Sequence, residues 1–125
     1  MSLLRELELA PFEGLRIEIT GSNEVRFSGM ITVFNSHDTL LPSFRAIHEA
    51  ALADGISELT ADVRALTFVN SSAIRLFIDW STWLRNHEES SRYLLRFTTD
   101  KSVTWQRTSF LALKSLVPGI IEVQS

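Results

Sequence analysis

The chain has 125 residues, is 45% hydrophobic and contains no cysteine; it is long enough for one domain with a packed core, and neither a disulfide framework nor thiolate chemistry is open to it. Its net charge of -3 argues against nucleic acid as the main partner, because phosphate binding needs a concentrated basic face. No apolar run reaches the roughly 18 residues of a membrane span, and Met1 to Ala10 alternates Leu with charged residues instead of offering the basic start and apolar stretch of a signal peptide, so the expectation is a soluble cytoplasmic protein with no membrane partner.

In chain order, Leu15-Arg16-Ile17-Glu18-Ile19 alternates apolar and polar, as a half-buried strand does. Gly21-Ser22-Asn23 reads as a turn, and the alternation resumes from Glu24 to Ile31, so the two segments form a hairpin. Residues 40 to 53 place Leu40, Leu41, Phe44, Ile47, Ala51 and Leu52 at helical spacing, with Thr39 or Asp38 as cap and Gly55 as stop. Leu59 to Val63 is a short buried strand, and Phe68-Val69 extends its line. A second helix runs from Ser71 to about Asn86, Arg92 to Thr98 is a strand with Tyr93, Leu95 and Phe97 on one face, residues 103 to 116 form a third helix ended by Pro118-Gly119, and Ile120 to Val123 is a last strand. The order β-β-α-β-α-β-α-β predicts an α/β fold. It has a mixed sheet of four or five strands, mostly parallel, with right-handed crossovers and helices on one side or flanking it, in a single domain over residues 1–125.

The second helix carries more apolar surface than a sheet requires. Ile74, Phe77, Ile78, Ser81 and Leu84 share one face, Leu76, Trp80 and Trp83 form a second stripe, and Ser72, Arg75, Asp79, Thr82 and Asn86 make the polar face. The second stripe meets either the first helix or a partner; Trp80 and Trp83 are expected not to be both fully buried.

Phe68-Val69-Asn70-Ser71-Ser72-Ala73-Ile74 is the stretch that carries chemistry. Asn and Ser are strong N-cap residues, whose side-chain oxygens accept the free N–H groups of a first helical turn. Two hydroxyls therefore sit at the positive end of a helix dipole, where a phosphate is stabilised. Capping alone also accounts for these residues, and cap and switch are not exclusive. Arg75 lies four residues after Ser71, one helical turn along, where it can pair with a phosphate on that serine.

Placed between a strand and a helix in this order of elements, the stretch resembles the STAS family, the domain of anti-sigma-factor antagonists and sulfate-transporter tails. The family motif reads hydrophobic-Ile-Asp-Ser-Ser-Gly-hydrophobic, and its first Ser is phosphorylated by a partner-switching kinase. Here Asn70 stands at the Asp position, Ser71 at the phosphorylated Ser, Ser72 at the second Ser and Ala73 at the Gly. Asn70 to Arg75 is similar to a divergent branch in which Asn replaces Asp and an Arg follows the Ile. That branch is tied to a phosphorylation switch over cyclic-nucleotide signalling or biofilm behaviour. The resemblance implies a partner-switching regulatory module without enzymatic activity or cofactor. Ser71 is its phosphorylation site, with Ser72 second, and Asn70, Ser72, Ala73, Arg75, Leu76, Asp79, Trp80 and Trp83 form its partner surface. The implied partners are a serine kinase or anti-sigma-like ATPase, a PP2C-type phosphatase or an output enzyme. Two alternatives stay open: a small-ligand-sensing STAS module, and a structural subunit that forms a homodimer or larger oligomer through the Leu76-Trp80-Trp83 stripe.

Other constellations are weaker. His37, His48 and His87 share no short metal-ligand spacing, so no metal site is expected and each reads as a surface or helix histidine. No G-x-S-x-G surrounds Ser71. Asp54 and Glu58 read as a solvated loop and a strand start, and Asp62 as a strand-end residue.

Overall fold

The computed structural model describes residues 2–125. Among these, β1 (Leu15–Gly21) and β2 (Glu24–Ile31) form an antiparallel hairpin, followed by α1 (Ser36–Ala53), β3 (Glu58–Val69), α2 (Ser71–Arg85), β4 (Leu94–Thr98), α3 (Thr104–Leu116) and β5 (Ile121–Gln124), with a short 3-10 turn at Glu89–Ser91 before β4. The sheet order is β1-β2-β3-β4-β5, parallel from β2 onward. Each strand therefore lies beside its sequence neighbour, and right-handed crossovers in such an order put every helix on one face.

The aromatic core shows this directly. Phe27 of β2 packs on Phe44 of α1 at a centroid distance of 5.5 Å and on Phe77 of α2 at 5.9 Å. Phe97 of β4 stacks on Phe110 of α3 at 4.4 Å and meets Phe77 edge-on at 5.8 Å. The opposite face carries charge. Arg26 and Arg64 converge on Asp62 at 3.5 and 2.9 Å, and Arg96 reaches Glu58 at 3.1 Å and Glu122 at 3.7 Å. Asp62 is thus a buried mid-strand residue rather than a strand end, and the Arg64 guanidinium holds its carboxyl below the usual range. Asp54 is likewise more than a solvated loop residue. Its carboxylate accepts the amides of Leu3 and Leu4 and pins the N-terminal segment, with Leu4 fully buried.

Strand β3 is one continuous element, longer than the short strand that alternation indicates. Its first half pairs with β4 from Glu58 to Asp62. Past that point β4 has ended, and register shifts against β2 between Arg26 and Ser28 and between Gly29 and Met30 each insert an extra residue into β3. The carbonyls left without a strand neighbour are met by side chains of α3. Gln106 Nε2 donates to Arg64 O at 3.2 Å and to Leu66 O at 2.8 Å, while its Oε1 accepts the Asp100 amide at 2.8 Å. Trp105 Nε1 donates to Thr67 O at 3.1 Å. Gln106 is completely buried, and its bond to Leu66 O is made away from water, whereas the Trp105 bond to Thr67 O lies at the surface.

A second buried polar group joins α1, α2 and Tyr93, the residue before β4. Trp80 Nε1 donates to the Tyr93 hydroxyl at 2.7 Å, and that hydroxyl is 2.8 Å from His48 Nδ1. Tyr93 accepts from Trp80, and its own proton can go to the lone pair of a neutral His48 Nδ1. Burial, with His87 and Arg45 nearby, lowers the His48 pKa from 6.5 to about 4.

Both networks can be probed by substitution. Gln106→Leu keeps the volume but strands two carbonyls and one amide; urea unfolding is expected to show a loss of at least about 2 kcal/mol. The depressed His48 pKa means the unfolded chain takes up a proton first. The His48 contribution to stability is therefore full above pH 6.5 and falls between pH 6.5 and about 4, by up to roughly 1.4 kcal/mol per pH unit. A His48→Phe variant, measured across the same window, should lose that dependence.

Candidate functional site

The site lies where the bulged end of β3 passes into α2. Asn70 continues the pairing with β2 through its amide, which donates to Ile31 O at 3.0 Å. Its side chain then does three things. Oδ1 accepts the Ala73 amide at 3.0 Å, closing the first turn of α2, and also accepts the Ser36 hydroxyl at 3.0 Å. Nδ2 donates to Val33 O at 3.1 Å, holding the β2–α1 loop. An Asp could perform the acceptor roles but not the donation to Val33, which gives the Asn a physical purpose of its own.

With Asn70 as the N-cap, Ser71 is the first residue of α2 and is exposed. Ser72 is half-buried and its Oγ accepts the His37 amide at 3.0 Å. The two serines are thus inequivalent: one hydroxyl faces solvent, the other anchors α1. The first turn of α2 contains no acidic residue, so the positive end of the dipole is not offset from within the helix. Arg75 is exposed one turn along and shares that side of the helix with Ser71.

The same attachments explain why α1 begins at Ser36 instead of residue 40. Its first turn has no apolar periodicity; it is held through Ser36 and the His37 amide by α2. Neither Thr39 nor Asp38 is the cap. The residue before the helix is Asn35, in the left-handed region at φ 66°, and its carbonyl accepts the Thr39 amide.

Part of the expected partner surface is interior. Ala73, Leu76 and Trp80 are fully buried, because the second stripe of α2 packs on α1: Trp80 meets Phe44 at 5.6 Å between ring centroids. Trp83 is half-buried beside His48, with the Arg45 guanidinium 4.7 Å from its ring centre. Asn70, Ser71, Ser72, Arg75, Asp79 and Trp83 therefore keep solvent access, and Ala73, Leu76 and Trp80 do not. What the periodicity does not announce is Phe34, 88% exposed on the loop that Asn70 holds, and His37, whose ring lies 2.5 Å from Asp79 Oδ2 and 3.1 Å from Asp38 Oδ1. Both carboxylates hold the His37 pKa above its ordinary value. Exposure of an aromatic in a short loop leaves no trace in a hydrophobic pattern, and a histidine's partners on another helix are equally invisible there.

Between α2 and α3 lies a cavity of about 250 Å³ lined by Ile74, Phe77, Ile78, Phe110, Leu113 and Leu116. Among the described residues, no group of three or more His, Cys, Asp or Glu is arranged to hold a metal ion, and no helix is long and apolar enough to cross a membrane.

No family model matches the chain, and no curated protein matches it. Among solved structures it is similar to an anti-sigma factor antagonist from Mycobacterium paratuberculosis, with 16% sequence identity and a TM-score of 0.53, over 86% of this chain and 83% of that one. With a five-stranded mixed sheet and a strand-to-helix junction at Ser71, the chain has a STAS-like α/β fold.

Proposed function

We propose that this chain is a phosphorylation-controlled module that binds a regulatory protein, with Ser71 as the modified residue. The observation that carries the reading is the division of labour at the start of α2. Asn70 caps the helix and Ser72 anchors α1, which leaves the exposed Ser71 hydroxyl with no structural duty to surrender. The STAS-like fold shared with an anti-sigma factor antagonist supports the same class of function.

The mechanism is electrostatic. Unmodified, the Ser71 end of α2 and the adjoining loop with Phe34 dock on the partner. A phosphate adds about -1.5 to -2 charges at a helix start, where the dipole and Arg75 stabilise it. An interface that presents acidic or apolar groups there is repelled, and binding is lost without rearrangement of the core. In this reading the chain works inside the cell, a serine kinase such as an anti-sigma-like ATPase writes the mark, and a PP2C-type phosphatase removes it. Ser72 is the poorer acceptor, because a phosphate on its Oγ would displace the His37 amide. The cavity between α2 and α3 gives the small-ligand alternative a physical location.

Mass spectrometry of the protein isolated from its own cells tests the assignment: a phosphate on Ser71 is expected, and a phosphate on Ser72 alone, or on neither serine, overturns it. Against the partner recovered with unmodified bait, Ser71→Asp should fold normally and bind at least tenfold more weakly, about 1.4 kcal/mol. Ser71→Ala should bind normally and remain within about 0.5 kcal/mol of wild-type stability, since Asn70 rather than Ser71 is the cap. Ser71→Asp binding as tightly as wild type would mean that charge here is not the switch. The Asn70 amide has its own test. Asn70→Asp retains the cap but sets a carboxylate against Val33 O, and chemical denaturation should show a loss of about 1 kcal/mol; unchanged stability would mean the donation holds nothing.

A further inference from the structure

Both ring nitrogens of His37 face carboxylate oxygens, Nε2 toward Asp79 at 2.5 Å and Nδ1 toward Asp38 at 3.1 Å. A neutral imidazole has one N–H and one bare lone pair, and in this setting the lone pair would point at a carboxylate. Only the imidazolium donates to both. The ring is 14% exposed and lies between α1 and α2. The charged groups acting on it are Asp38 from α1 and Asp79 and Arg75 from α2; the two carboxylates bond it directly, whereas Arg75 opposes them only through the field.

The ring belongs to the serine site. The His37 amide donates to Ser72 Oγ, and the adjoining Ser36 hydroxyl donates to Asn70 Oδ1. The first turn of α1 is thus attached to α2 at the cap, at Ser72 and at Asp79. The first two bonds are insensitive to pH near neutrality. The third is an ion pair only while the ring carries its second proton.

We propose that His37 is a proton-operated latch between α1 and the Ser71 end of α2, which makes the partner surface a reader of pH as well as of phosphate. With its proton, His37 draws Asp79 and the start of α1 together. Without it, one N–H is left for two carboxylates, the ion pairs with Asp79 and Asp38 fall to a single hydrogen bond from a neutral ring, and the first turn of α1 leans more heavily on Ser36 and Ser72. Because the proton is bound more tightly in the folded chain, the latch contributes fully below pH 6.5 and is lost as pH rises through the raised midpoint. The coupling to phosphate rests on the Ser71 reading, whereas the latch itself does not. A phosphate on Ser71 adds negative charge beside the same cluster, so it should tighten the proton on His37, and by reciprocity the proton should favour the phosphorylated form.

The test is an NMR titration of the imidazole nitrogens in the full chain, assigned with His37→Gln, combined with amide exchange of residues 36–39. In wild type, His37 should titrate above 6.5. Above that midpoint, amide exchange corrected for intrinsic rates should become roughly threefold faster, the size a part-exposed ion pair supports. Asp79→Asn should lower the midpoint and abolish the step in exchange; if that variant folds poorly, Asp38→Asn should lower the midpoint by a smaller amount. A wild-type midpoint at or below 6.5, or exchange unchanged across it, overturns the latch. Phosphoserine installed at residue 71 should raise the midpoint. A midpoint that stays put overturns the coupling, while the Ser71 assignment stands or falls on its own phosphate mapping and binding data.

Discussion

Strand β3 outruns β4, and the functional end of the molecule depends on how that overhang is satisfied. Arg64, Leu66 and Thr67 present carbonyls toward a place where no strand lies, and two side chains of α3 occupy it. Left bare inside the protein, the Leu66 carbonyl would cost on the order of 1–3 kcal/mol. Met by Gln106 and Trp105, these carbonyls allow β3 to continue to Val69 and deliver Asn70 to a defined point above the sheet. Asn70 then commits its side-chain hydrogen-bonding groups to the start of α2, the start of α1 and the loop between β2 and α1. Ser71 is presented outward because its neighbours are fully engaged.

Charge on this molecule is divided between the same two regions. On the uncovered sheet face, arginines are held by acidic partners within the sheet itself, as Arg96 is by Glu58 and Glu122. At the helix starts the balance differs: Asp38, Asp79, His37 and Arg75 surround two hydroxyls, and no acid lies in the first turn of α2. A small change in protonation or phosphorylation is therefore felt at the serines and hardly at all across the sheet.

Much of this is legible in the chain. The alternation at Leu15–Ile19 and at Tyr93, Leu95 and Phe97, the wide apolar arc of α2, and the Asn70-Ser71-Ser72 cap each announce an element, because each depends on residues close in sequence. What escapes depends on residues far apart. Arg64 and Thr67 break the alternation of β3 because bulges lie there, and their compensation comes from Gln106 and Trp105, some forty positions later. The first turn of α1 is polar and is held by α2. Trp80 belongs to a stripe that periodicity identifies, but the choice between a partner and Phe44 is made by the crossover that sets α1 beside α2. His37 gives no local sign of Asp79, which is 42 residues away.

The monotonic strand order has a consequence for how the molecule comes to be. Every strand pairs with the strand before it in sequence, so each closure spans a single crossover and the loop-closure entropy is met in small steps. The sheet can grow from β1 outward as the chain emerges from the ribosome, each new unit docking on a finished edge. The overhang of β3 is the exception to that orderly accretion: Asn70 and Ser71 are synthesised well before Trp105 and Gln106. The hydroxyl that faces solvent is made before α3, and the strand end that aims it is fully supported only when α3 arrives. The junction between β3 and α2 is thus completed by residues far downstream, which separates the nascent chain from the finished one at this point of the surface.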